Sequence, residues 1–354
     1  GSGDFTFTRG SNLSATRVDA SQLIEKGREN LFIYSNDFNS GWSPKAGTFT
    51  QGVTDPNGGS TAWSWTATNT DPYLYQYWGF SGVHCISVWA KGVGSTIGDD
   101  IELRIGGSIN YFTLTSEWKR FEAFAVLNGA TNIGFEYGQP ATSGDVIHIY
   151  GAQLELGLVA TPYIESGATT GKAGILENTP RFDYSGGATC PSLLLEPSRT
   201  NQCSQSEYIG SIDWNQGGIT RSLVITQTSE TNPEGASICW KIQGTASDNQ
   251  LANNSSTNSG TTITNSVYVK RVSGTSNVLL RNVNNNDTSF SLSVADGWKR
   301  IDVTATATSA TARFYLNLLD FNDEILVWGA QQEIGSYPTS YIPTYGVSQT
   351  RASE

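Results

Sequence analysis

Short runs in which apolar and polar residues alternate recur along the whole chain. Ile86-Ser87-Val88-Trp89-Ala90, the stretch from Arg120 to Val126, Val267-Tyr268-Val269-Lys270 and the stretch from Arg300 to Thr306 all follow this pattern. A period of two sends successive side chains to opposite faces, so each run predicts a strand with one face buried. Gly, Asn and Pro clusters bound the runs, and no long window carries the 3.6-residue period of an amphipathic helix. Eight to ten such strands in roughly 140 residues predict a β-sandwich of the jelly-roll kind, with Thr, Ser and Lys blunting its edges. The expected fold class is all-β.

The same pattern occurs twice, in one order. Arg28-Glu29-Asn30 returns as Arg199-Thr200-Asn201, and Trp42 as Trp214. Asp55-Pro56-Asn57-Gly58-Gly59 with Trp63 returns as Asn232-Pro233-Glu234-Gly235 with Trp240. Ser87-Val88-Trp89-Ala90-Lys91 matches Ser266-Val267-Tyr268-Val269-Lys270, and Trp118-Lys119-Arg120 matches Trp298-Lys299-Arg300. Last, Gly151-Ala152-Gln153-Leu154-Glu155 through Thr161-Pro162-Tyr163-Ile164 returns as Gly329-Ala330-Gln331-Gln332-Glu333 through Thr339-Ser340-Tyr341-Ile342. Six ordered matches at a slowly drifting offset establish a duplication.

The chain therefore divides into an opening connector over 1–27, a first sandwich over 28–166, a second connector over 167–197 and a second sandwich over 198–346. Residues 347–354 read as the start of a further connector, since Thr350-Arg351-Ala352-Ser353 resembles Thr16-Arg17-Val18-Asp19. Both connectors carry an Arg-x-Asp step followed by Leu-rich residues and Glu, at Arg17 to Glu25 and at Arg181 to Glu196. The chain holds no Met and opens Gly1-Ser2-Gly3, which reads as a piece of a longer protein with other domains.

Composition narrows the partners. Of 354 residues only 15% are charged, 38 are Gly, and the net charge is −11. That charge argues against nucleic acid or an anionic membrane held by bulk electrostatics. No apolar run reaches the roughly 18 residues of a membrane helix, so no membrane insertion is expected. The four cysteines, Cys85, Cys190, Cys203 and Cys239, form no Cys-x-x-Cys pair; buried thiols and a Cys190–Cys203 bridge both stand as readings.

The run Gly144-Asp145-Val146-Ile147-His148-Ile149-Tyr150-Gly151-Ala152-Gln153-Leu154-Glu155 resembles the last strand of concanavalin A-like, jelly-roll carbohydrate-binding modules attached to xylanases and glucanases. Asn36-Asp37-Phe38 with Trp42, and the Trp-Lys-Arg strand start, belong to the same pattern. The wording Gly-Ala-Gln-x-Glu with Thr-x-Tyr-Ile, and the connector Pro180-Arg181-Phe182-Asp183-Tyr184 with Leu193-Leu194-Leu195-Glu196-Pro197, is similar to repeats of bacteriophage tail and capsid appendages. The resemblance implies polysaccharide or cell-surface glycan binding, lectin-like, at an extracellular or virion surface such as a tail fibre. It also implies a structural Ca²⁺, although Tyr150-Gly151-Ala152 and Trp328-Gly329-Ala330 replace the Asp found in the final strand of many such modules. Calcium takes six to eight oxygens, and Asp37, Asp145, Glu155, Asp323 and Glu333 are the candidate donors.

Catalysis finds no foothold in these residues. Acids are plentiful, yet none stand out as the facing pair that glycoside hydrolysis usually needs. His84 and His148 lack counterparts in the second copy, and no nucleophile elbow or phosphate-cradling loop occurs. A sugar site asks only for an aromatic face with Asn, Gln, Asp or Arg around it. Most Trp residues recur in both copies and so belong to the shared fold; Trp65 and Trp78 do not. In Tyr73-Leu74-Tyr75-Gln76-Tyr77-Trp78, three tyrosines at period two line one strand face, and the second copy has only Asn-rich sequence there, over Asn249 to Asn258. The Asn-rich stretches, this one and Asn282 to Asn286, read as loops.

The expected function is non-catalytic polysaccharide binding with Tyr73, Tyr75, Tyr77, Trp78 and Trp65 as the contact residues. A structural spacer without a sugar site is the alternative reading.

Overall fold

The computed structural model describes residues 7–9, 13–138, 141–215, 223–245, 249–257, 259–282, 287–308 and 310–354. Strands and short 3₁₀ turns make up all the regular structure among these residues. The chain is all-β and forms two compact units, one of Arg28–Ala173 and one of Gly1–Gly27 together with Gly174–Glu354.

The unit built on the second copy is a sandwich of two antiparallel sheets. Leu223–Thr228, Cys239–Gly244, Glu324–Ile334, Thr262–Ser273 and Lys299–Thr306 form one sheet in that order. Asn249–Ser256, Thr311–Leu318, Val278–Arg281 and Asp287–Phe290 form the other. Ile242, Val267, Val269 and Val327 from the first sheet share a core with Leu251, Leu280, Phe314 and Leu316 from the second. Alternation explains the faces: on Thr311–Leu318 the even positions 314, 316 and 318 are buried in this core.

In the first copy the two sheets run together. The 20-residue strand Tyr73–Gly92 pairs along its length with the 19-residue strand Lys119–Tyr137, and both lie in one seven-stranded sheet. Thr48–Val53, Ala62–Thr66 and Val146–Leu156 extend one half; Asp100–Ile105 and Ser108–Thr113 extend the other.

The repeated Gly-Ala-Gln-x-Glu sequence is a buried clasp. Gln153 Nε2 donates to Glu155 at 2.6 Å, and Glu155 also accepts from Thr161 N at 2.8 Å and Thr161 Oγ1 at 2.6 Å. Gln331, Glu333 and Thr339 repeat these bonds at 2.7, 2.8 and 2.7 Å. Several hydrogen bonds are what make a buried carboxylate tolerable, so the sequence is repeated for the fold. Just before the clasp the register slips between Tyr150 and Gln153, and Gly151 takes φ +62, where a side chain would meet the Tyr163 ring.

The segment expected to open the second connector behaves as sandwich: Gly171–Ala173 pairs with Arg28–Asn30. Gln349–Arg351 pairs in the same way with Arg199–Asn201. The tail thus corresponds to the strand that closes the first copy, besides resembling the opening segment. The Asn-rich run Asn249–Ser256, expected as a loop, is a strand registered on Thr311–Leu318. Its partners Leu316 and Phe314 outweigh the turn preference of Asn by burial. Residues 283–286 of the second Asn-rich stretch, and Asn258, lie outside the described residues. All four cysteines are free, with Cys190 exposed and Cys85, Cys203 and Cys239 buried, so there is no Cys190–Cys203 bridge.

Within the second unit the opening connector is a hairpin, Thr16–Val18 with Ile24–Lys26. Arg181 is fully buried and pairs with Glu196 at 2.8 Å and with Glu354; Arg351 pairs with Glu196 at 3.1 Å and Arg9 with Glu354 at 2.6 Å. The opening segment, the connector and the tail are therefore joined through one buried charge network.

Candidate functional site

Residues on one face of the first copy come together by register. On Tyr73–Gly92, Leu74 and Gln76 turn inward: Leu74 joins the core and Gln76 bonds the Ile33 backbone. Tyr73, Tyr75 and Tyr77 take the opposite face. Directly across from Tyr73 are Glu136, then Glu102, then Tyr111 on successive strands. Across from Tyr75 come Gly134, Arg104 and Ile109, and across from Tyr77 comes Asn132. The result is an aromatic and charged platform spanning four strands.

Its rings differ in access. Tyr77 is 65% exposed and Tyr111 59%, whereas Tyr75 is only 7% exposed. Tyr73 and Tyr75 stack with centroids 5.5 Å apart at 14°. Tyr75 lies over Gly134, where an added Cβ would fall 2.1 Å from the Leu74 carbonyl oxygen and 3.0 Å from the Tyr75 Cα. Arg104 holds Glu102 at 3.0 Å and Glu136 at 2.5 Å. One guanidinium cannot neutralise two carboxylates. Burial, with Asp71 nearby, pushes the Glu136 carboxyl up to about 7 despite the ion pair.

Two residues expected at the site are placed elsewhere. Trp65 is 2% exposed, stacks on Phe49 at 5.3 Å and donates its indole N–H to Ala46 O. Trp78 has the parity of Leu74, so it packs against the core, stacking on Phe80 and donating to Gln76. Tyr111, Glu102, Glu136 and Arg104 are the members sequence reasoning missed.

The second copy has rebuilt this face. Register places Gln250, Ala252 and Asn254 where the first copy has Tyr73, Tyr75 and Tyr77, and Tyr315 where it has Gly134. Large-over-small has become small-over-large. Tyr315 is 4% exposed, with Arg281 and Arg313 about its ring at 5.9 and 5.8 Å. No exposed aromatic stands at these register positions among the described residues.

The proposed calcium donors do not converge, and among the described residues no three metal-ligating side chains gather. Glu155 and Glu333 are consumed by the clasp. Asp37 accepts from Asn39 N, Asp145 from Thr142 N and Ser95 Oγ, and Asp323 pairs with Arg271 at 3.3 Å. These residues do not fit a calcium site. No helix among the described residues is long and apolar enough to cross a membrane.

No family model matches the chain, and no curated protein matches it. Among solved structures it is similar to the tandem CBM22-1–CBM22-2 domains of Paenibacillus barcinonensis Xyn10C, at 11% identity over 94% of this chain and 100% of that one, with a TM-score of 0.29. It is similar to the tandem CBM51 modules of Sp3GH98 from Streptococcus pneumoniae, at 12% identity over 83% and 97%, TM-score 0.26. A third is the enzymatically active domain of tailspike protein 4 of bacteriophage CBA120, at 11% over 37% and 21%, TM-score 0.28.

Proposed function

We propose that the chain is a non-catalytic polysaccharide-binding tandem module, with the sugar chain lying on the tyrosine platform of the first copy. The observation that carries this is the juxtaposition of exposed Tyr77 and Tyr111 with Glu102, Glu136, Arg104 and Asn132 on one sheet face. Rings stack on the apolar C–H face of a pyranose, while the Arg104 guanidinium, held by the buried Glu102 and Glu136, and the Asn132 amide bind its hydroxyls. Glu102 and Glu136 are buried on one sheet face and both engaged by Arg104. Glycoside hydrolysis sets its two carboxylates on either side of the bond, so this pair suits binding. The setting that goes with such a module is an appendage of a phage particle or a secreted multidomain protein, at an extracellular or virion surface.

The buried Tyr315 and its flanking arginines favour a second role for the second copy, that of a spacer which carries the first. Retention on insoluble polysaccharides tests the whole reading. The intact chain is expected to be held by one polymer class, and Tyr77→Ala with Tyr111→Ala to lose at least tenfold in affinity, about 1.4 kcal/mol. Retention unchanged in the double variant, or absent on every neutral and acidic polymer, would overturn it.

A further inference from the structure

The two copies treat one equivalent groove in opposite ways. In the second unit, the hairpin strand Ile24–Lys26 lies in it. Lys26 Nζ reaches Glu207 at 3.1 Å, Glu234 at 2.8 Å and the Tyr345 hydroxyl at 2.6 Å. Two residues back, Ile24 packs on Trp328 and Tyr341. The fold at this point accepts a guest whose apolar part lies on aromatic rings and whose polar head sits among oxygens.

Matching hydrogen bonds fix the equivalence. Ser35 Oγ to Tyr163 OH, 2.7 Å, repeats as Ser206 Oγ to Tyr341 OH, 2.6 Å. Asn30 Nδ2 reaches Ala152 O and Ile164 O as Asn201 Nδ2 reaches Ala330 O and Ile342 O. Counting from these anchors, the three groups that hold the Lys26 ammonium become Asn36, Asn57 and Gly167 in the first copy. These changes remove the groups that hold Lys26, while Asp37 and Glu165 bring two other carboxylates to the groove. Of the two rings under Ile24, Trp328 has its counterpart Tyr150 on the groove, where Trp63 also stands. In the first copy the groove is open, about 520 Å³; Asn36 and Gly167 line it, Asn57 does not, and Tyr34, Asn39 and Gln51 are among its other walls.

We infer that this groove of the first copy is a second binding subsite, for an uncharged saccharide unit. It rests on the polysaccharide reading but uses none of the platform residues. Asn36 Nδ2 donates to Thr61 O and its Oδ1 accepts from Gly151 N, so saccharide hydroxyls would meet Gln51, Asp37 and Glu165 beside the Tyr150 and Trp63 rings. The volume lies in the range of small-molecule sites. Asp37 and Glu165 also line the groove and accept hydroxyls as readily. They make a cationic peptide the necessary control. In this reading the second copy has no such subsite, because the chain's own hairpin seals it.

Gly167 offers the test. A Cβ there would meet nothing within 4 Å, so Gly167→Tyr restores the side chain of Tyr345 without a backbone clash and fills the groove. The intact chain would be titrated with glucose, galactose, mannose and xylose, reading the Trp63 indole N–H by NMR. A synthetic peptide of residues 16–26 is titrated in parallel. The expected result is a saturable Trp63 shift with at least one sugar, unchanged by Tyr77→Ala and weakened tenfold or more by Gly167→Tyr. No shift with any sugar, a shift with the peptide alone, or a sugar shift indifferent to Gly167→Tyr would overturn the subsite. Loss of polymer retention on Tyr77→Ala bears on the platform only, so the two readings fail separately.

Discussion

Replacing Lys26 by Met removes the ammonium from between Glu207 and Glu234. The two carboxylates bind one Nζ at 3.1 and 2.8 Å, so they lie within about 6 Å of each other. At an effective dielectric of about 20, two like charges at that distance repel by roughly 3 kcal/mol. Breaking a buried ion pair from one side costs about 3–5 kcal/mol in general, which agrees. For a unit of roughly 200 residues, each kcal/mol lowers Tm by about 2–4 °C, so the second unit should melt about 6–20 °C lower. Calorimetry or urea denaturation at pH 8 reads this. Burial pushes the Glu207 carboxyl up, so it takes a proton early as pH falls, and the deficit should shrink toward pH 5. Adding Glu207→Gln and Glu234→Gln should recover most of the loss, since a neutral set needs no cation. A cost under about 1 kcal/mol in the single variant, or a triple variant no more stable than the single, would refute this account of the cluster.

Gly134→Ala should destabilise the first unit by about 1–3 kcal/mol, because its Cβ meets backbone that cannot rotate away; urea denaturation checks it. Adding Tyr75→Ala should not rescue this variant, since the nearest clash is with the Leu74 carbonyl. The folded-state pKa of Glu136, about 7, lies above the ordinary carboxylate value, so the folded state holds a proton the unfolded chain has lost. Its contribution to stability is therefore present at low pH and declines as pH rises through that window. Glu136→Gln should flatten this slope in a pH series of melting curves, and an unchanged slope would assign it to another group.

Much of this fold was readable because it depends on local pattern. Period-two runs and ordered repeats need no knowledge of which strand pairs with which. The platform was readable only along one strand. Tyr73, Tyr75 and Tyr77 share a face by parity alone, whereas Tyr111, Glu102 and Arg104 join them through register across four strands. The hairpin turn Gly106-Gly107 between Asp100–Ile105 and Ser108–Thr113 was a legible cue to that second pairing. Parity also speaks against Trp78, one step from Tyr77 and so on the inward face. Trp65 was misplaced because lacking a counterpart does not distinguish a surface ring from a core that one copy has packed differently. The calcium donors came from resemblance; nothing in their spacing could show that Glu155 and Glu333 are already bonded by the threonines that follow them. Nor could any local pattern place Lys26 with Glu207.

That last distance has a consequence for how the molecule is made. Lys26 leaves the ribosome well before Glu207 exists: at 5–20 residues per second the wait for 181 further residues is about 10–35 s. During it the opening hairpin has nothing to dock on, while the whole first sandwich has been synthesised. Loop-closure entropy would grow with those intervening residues if they were slack. They are not slack once the first sandwich has folded, because Arg28–Asn30 and Gly171–Ala173 pair and bring the two ends of that module side by side. A folded first sandwich should thus shorten the search of the hairpin for the second, and destabilising it is expected to slow closure of the nascent second unit.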